Sequence, residues 1–229
     1  MAVFAVIPAA PILVAGVDLA ETSHAAQMRA AIESCLLTRS EWTLPVRQLP
    51  PLAGLGGLGI DRGIDTRTNE LLDGDDWVQA VSELSAADRA VCESAHPAIA
   101  VALLHAHSVG VRIGALAGSE SPSSSGAPAS NESLLVPIDL SAAASEEAPL
   151  APVPGAAQAD ERIIAALNAG EPQSVVTAVA AAADVHADLE LLDAAAAHML
   201  AHRSSDYSFT TVFDENLHEV RSLCGTGTY

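Results

Sequence analysis

Two histidine pairs and one cysteine–histidine pair have spacings that would suit metal chemistry. His105 and His107 form a His-x-His pair. On an extended segment alternate side chains share one side, so both imidazoles would face together. A carboxylate such as Glu120 or Glu132 would then complete a three-ligand centre. The spacing fixes no third ligand, and the simpler expectation is two histidines at the boundary between a helix and a strand. His198 and His202 stand four apart on an expected helix that also carries Glu190 and Asp193. That helix lacks the internal glutamate of a HExxH zinc site. Cys92 and His96 share the same spacing, but Pro97 follows, and a helix terminus accounts for them equally well.

Gly54-Leu-Gly56-Gly57-Leu-Gly59 satisfies GxGxxG literally. A dinucleotide site needs a strand before the glycines and a helix N-terminus after them to receive the pyrophosphate. Pro50 and Pro51 precede this run, Ile60-Asp61-Arg62-Gly63 is a poor helix start, and Asp75 and Asp76 only roughly match the acidic offset. A flexible surface loop is therefore the expectation. No GxSxG elbow and no P-loop occurs.

Composition excludes whole classes of partner. The 229 residues carry 29 acids against 10 bases, a formal net charge of −19, and every base is arginine. Nucleic-acid affinity comes chiefly from cations neutralising phosphates, and an anionic membrane is disfavoured for the same reason. Cys35, Cys92 and Cys224 are odd in number and widely spaced, which suits reduced thiols in a cytoplasmic protein rather than a disulfide framework. The apolar N-terminus has no basic residue before Arg29 and is interrupted by Pro8 and Pro11. It reads as neither a signal peptide nor a membrane span.

The elements that would position these side chains alternate between strand and helix. Ala2–Ile7 and Leu134–Leu140 are continuous apolar runs, the pattern of strands buried on both faces. Trp42–Val46 and Val109–Leu116 read as further strands, and Phe209–Phe213 and Val220–Tyr229 as closing ones. Helical periodicity runs from Asp18 or Thr22 to about Thr38, from Trp77 to Ala95, and from Pro97 to about Ala106. It returns over Asp160–Asn168, Pro172–Ala182 and a segment ending at His202. Gln48–Gly63 reads as a loop. The expected fold is a single α/β domain over residues 1–229, with a central mixed sheet flanked by helices on both faces. Residues 119–133, rich in serine, are expected to form one mobile loop.

Against this frame, Pro8-Ala9-Ala10-Pro11-Ile12-Leu13-Val14 after the first strand resembles the opening of the class III extradiol ring-cleavage dioxygenases of the catalytic B-subunit type. Asp139-Leu-Ser141 with Ala148-Pro149, the helix within Gln158–Gly170, and Cys224-Gly-Thr-Gly-Thr-Tyr229 resemble the family's later motifs. The resemblance implies a non-haem Fe(II) held by two histidines and a carboxylate, an aromatic ring-opening activity, and a homodimer. The family places a ligating histidine just after the first strand, where this chain has Ala9, and no histidine occurs in Pro50–Gly63. A methyl group ligates nothing. The expectation is thus a pseudoenzyme without the iron or any other cofactor, binding a small molecule or a protein. The alternatives are a ring-opening dioxygenase whose metal site is rebuilt around His105 and His107, with Fe(II) returning as cofactor, and a nucleotide-binding protein using the Gly-rich loop.

Overall fold

The computed structural model describes residues 2–18, 22–116, 132–202 and 207–229. In chain order its elements are β1 (Val3–Pro8), α1 (Ser23–Leu36), β2 (Glu41–Leu44), β3 (Leu52–Gly54), β4 (Arg62–Asp65) and β5 (Glu70–Asp73). Then follow α2 (Asp75–Glu83), α3 (Ala86–Ser94), α4 (Ala98–Ser108), β6 (Arg112–Ala115) and β7 (Ser133–Ile138). The chain closes with α5 (Ala156–Asn168), α6 (Pro172–Ala180), α7 (Glu190–Ala201), β8 (Ser208–Leu217) and β9 (Val220–Thr228).

The apolar run of β1 serves two cores at once. Ala5 and Ile7 pack on one face with α1 and α4, while Phe4 and Val6 pack on the other with α5, α6 and α7. The neighbouring β7 divides likewise, Leu135 to the first layer and Leu134, Val136 and Ile138 to the second. That is why neither strand alternates with polar residues. The chain is an α/β fold with a six-stranded mixed sheet ordered β6-β2-β7-β1-β9-β8 and helices on both faces. Strands β6, β2, β7 and β1 run parallel, and β9 and β8 complete the sheet antiparallel. Pro137 is tolerated in a central strand because β2 pairs with β7 only at Leu134, away from the missing N–H.

Two expectations are corrected. Gln48–Gly63 is not all loop: β3, β4 and β5 form a separate antiparallel sheet that packs against α4. A three-residue strand containing glycine is too short to show a period. The helix expected over Trp77–Ala95 is two helices. Leu84 turns extended and Ser85 starts α3 anew, its Oγ accepting the Asp88 N–H at 3.0 Å. Ser85-x-x-Asp88 is the local signal of that restart. Of the serine-rich segment expected over 119–133, residues up to 131 lie outside the described ones, and Ser133 already belongs to β7. No helix among the described residues is long and apolar enough to cross a membrane.

Candidate functional site

The parallel strands β1 and β7 end side by side, with Pro8 paired to Ile138 and the Ala9 N–H donating to the Ile138 carbonyl at 2.8 Å. The next residues, Ala9 and Asp139, therefore stand together at the carboxyl edge of the sheet, where open α/β sheets hold their ligands. They line a cavity of about 480 Å³ whose other walls include Leu55, Leu58, Ala98 and Val101. Leu55 and Leu58 come from the turn after β3, and Ala98 and Val101 from the first turns of α4.

Asp188, just before α7, forms the acidic end of this cavity with Asp139. An isolated antiparallel bridge joins the two: the Asp188 N–H donates to the Asp139 carbonyl at 2.7 Å, and the Asp139 N–H to the Asp188 carbonyl at 3.1 Å. Behind them, the His96 Nε2–H donates to Asp188 Oδ1 at 2.8 Å, and His96 Nδ1 accepts the Ala98 N–H at 3.3 Å. His96 thus caps α4 and braces Asp188, with both ring nitrogens engaged. Its bond to Asp188 raises the imidazole above its usual range, with Glu190, at 4.0 Å, adding to the effect.

Burial, followed by the nearby Asp188 charge, pushes the Asp139 carboxyl up to about 7, against opposing contributions from the Ala9 N–H and His96. Asp139 is therefore the group suited to exchange a proton near neutrality. The turn beyond it is held by buried side chains. The Ser141 N–H donates to Asp160 Oδ1 at 3.0 Å, and the Ser141 hydroxyl donates to the Val185 carbonyl while accepting the Ala143 N–H. Ser141 and Asp160 position Asp139 and do not line the cavity.

Other residues singled out by spacing lie elsewhere. His105 and His107 both fall inside α4 rather than on an extended segment. Two positions along a helix turn the side chains to nearly opposite sides, so the pair is not brought together. His105 is buried with Nε2 lacking a hydrogen-bond partner, and burial lowers it to about 4. His107 is half-buried. Glu132 pairs with His198 Nε2 at 3.4 Å, and Glu120 lies outside the described residues. His198 and His202 do share a side, stacked with ring centroids 4.2 Å apart. Glu190 is near His96 instead.

The glycine run has a packing explanation. Gly56–Leu58 form a single 3₁₀ turn between β3 and β4, and no α-helix starts there to receive a phosphate. The Trp77 ring of α2 lies against the backbones of Gly54 and Gly63, where any Cβ would collide with it. Cys35 and Cys224, distant in sequence, are buried as free thiols with their sulfurs 3.5 Å apart.

Sequence reading missed His96 and Asp188 as partners. They are 92 residues apart, and only the bridge to Asp139 brings them to the strand end; His96-Pro97 before an apolar helix was the available signal. The donors present do not fit the iron centre that the resemblance implies. Ala9 offers a methyl group, both nitrogens of His96 are engaged, and among the described residues no group of three or more His, Cys, Asp or Glu is disposed to hold a metal ion. No family model matches the chain, and no curated protein matches it significantly.

Proposed function

We propose that the chain is a small-molecule-binding protein of extradiol-dioxygenase-like build, in which the cleft at the strand ends is kept and the iron-dependent ring opening is not. The observation that carries this reading is the placement of Ala9 and Asp139, the residues next after the paired strand ends, on the wall of one cavity. A small apolar residue stands where the resemblance implies a metal ligand, with a carboxyl group beside it on the cavity wall. A concave, mostly apolar pocket with a few converging polar groups is the usual form of a small-molecule site.

The test is reconstitution. Protein purified without oxygen and supplied with Fe(II) is expected to retain iron well below one equivalent and to leave catechols unopened. Stoichiometric iron together with a yellow ring-cleavage product overturns the proposal.

A further inference from the structure

The donors nearest the two carboxylates, on Ala9, His96 and the first turn of α4, are already engaged. The first N–H of α4, at Ala98, bonds His96 Nδ1; those of Ile99 and Ala100 bond the carbonyls of His96 and Pro97 at 3.0 and 3.1 Å. The His96 Nε2–H goes to Asp188, and the Ala9 N–H goes to Ile138. Among the described residues, no arginine and no histidine lines the cavity. Its acidic end therefore offers acceptor oxygens and negative charge, while its walls offer apolar contact.

Resting on the reading of this cleft as a binding site, we infer that its ligand is a small amine. A primary or secondary ammonium sits on the carboxylates of Asp139 and Asp188, and an apolar body lies against Leu55, Leu58 and Val101. The charges that face Asp139 are Asp188 before α7 and His96 between α3 and α4, with Glu190 beyond at 4.0 Å from His96. An ammonium relieves the repulsion between the two part-buried carboxylates. A carboxylate ligand would add a third negative charge, and an alcohol would leave the repulsion in place. Because Asp139 holds a proton up to about 7, seating a cation there displaces that proton into solvent.

Benzylamine, benzyl alcohol and benzoate share a ring and differ in head group, which makes them the probes. Calorimetric titration of the full chain is expected to rank the amine about tenfold or more above the alcohol, with benzoate weakest. Titrations near pH 7 in two buffers of different ionisation enthalpy should show part of a proton released per amine bound. Asp139→Asn should abolish the proton release and reduce the amine preference, with Asp188 left in place. Gly57→Trp places a ring at the cavity wall, at a position where a Cβ meets no atom within 4 Å. It should weaken all three probes even if Asp139→Asn does not fold. Equal binding of amine and alcohol, or tighter binding of benzoate, overturns the amine inference and leaves the binding cleft standing. An amine preference undiminished in Asp139→Asn overturns it too. If none of the three binds, the cleft reading falls and the inference falls with it.

Discussion

Asp139 and Asp188 are joined through their main chains, by reciprocal hydrogen bonds of 2.7 and 3.1 Å, and not through their side chains. The carboxylates are therefore held near each other by backbone geometry, against their mutual repulsion. Replacing either side chain leaves the other in place, so their electrostatic effects are separable by substitution.

The pH dependence of stability should expose Asp139. An ordinary aspartate titrates near 3.9 in the unfolded chain, while burial pushes Asp139 up to about 7 in the folded one. Unfolding releases a proton between those values, so this carboxyl's contribution is complete below about pH 4 and is lost as the pH rises to about 7. Asp139→Asn removes that decline, which amounts to at most about 4 kcal/mol across the window. Urea unfolding at intervals between these pH values measures it; identical slopes in both proteins would show that Asp139 titrates normally.

His105 acts with the opposite sign. Burial, reinforced by the Arg29 charge, lowers it to about 4, against about 6.5 unfolded. Its contribution is present above about pH 6.5 and is lost as the pH falls towards 4. Its Nε2 also lacks a hydrogen-bond partner, a cost of about 1–3 kcal/mol for a buried polar atom. His105→Leu should therefore raise the melting temperature, and more at pH 5 than at pH 7.5, as calorimetry would read. A lower melting temperature at pH 5 counts against this account. Since the two groups oppose each other, the wild-type profile should be flatter than either variant's.

Trp77 and Gly63 should couple strongly. Trp77→Ala removes a buried ring that holds α2 on the small sheet and is expected to cost about 3–5 kcal/mol. Gly63→Ala drives a methyl into the same ring and into the Ala53 carbonyl, at a cost of about 1–3 kcal/mol. In the double variant the second cost should shrink, because half of the collision is gone. Simple additivity of the unfolding free energies would show that the ring does not rest on Gly63.

Thiol chemistry should separate the cysteines. Cys92 is half-buried, whereas Cys35 and Cys224 are buried against each other. Ellman's reagent should titrate one thiol quickly in the native protein and all three only after unfolding. Fast reaction of two or more would place at least one of the pair at the surface.

What was legible in the sequence follows from how local each signal is. The continuous apolar runs of β1 and β7 and the apolar α4 announce themselves, because a doubly covered strand and a buried helix leave no polar alternation. Ala9 and Asp139 were reached through short motifs beside those strands. Asp188 is not legible there, and His96 stands out only for its spacing from Cys92, since a lone bridge and one side-chain bond leave no periodic trace. The glycine run misled for a related reason: its partner, Trp77, arrives from a helix further along the chain, and spacing alone does not distinguish room for a phosphate from room for an indole. The Cys35–Cys224 contact spans 189 positions and was equally invisible.

The position of β9 has a consequence for synthesis. Val3–Val6 pairs with Gly225–Thr228, and β9 separates β1 from β8. As the chain leaves the ribosome, β1 keeps one backbone edge without its partner until β9 has been translated. Such an edge invites pairing with other nascent chains. A stall before Val220 would release a chain whose strand β1 has β7 as its sole sheet neighbour among the described residues.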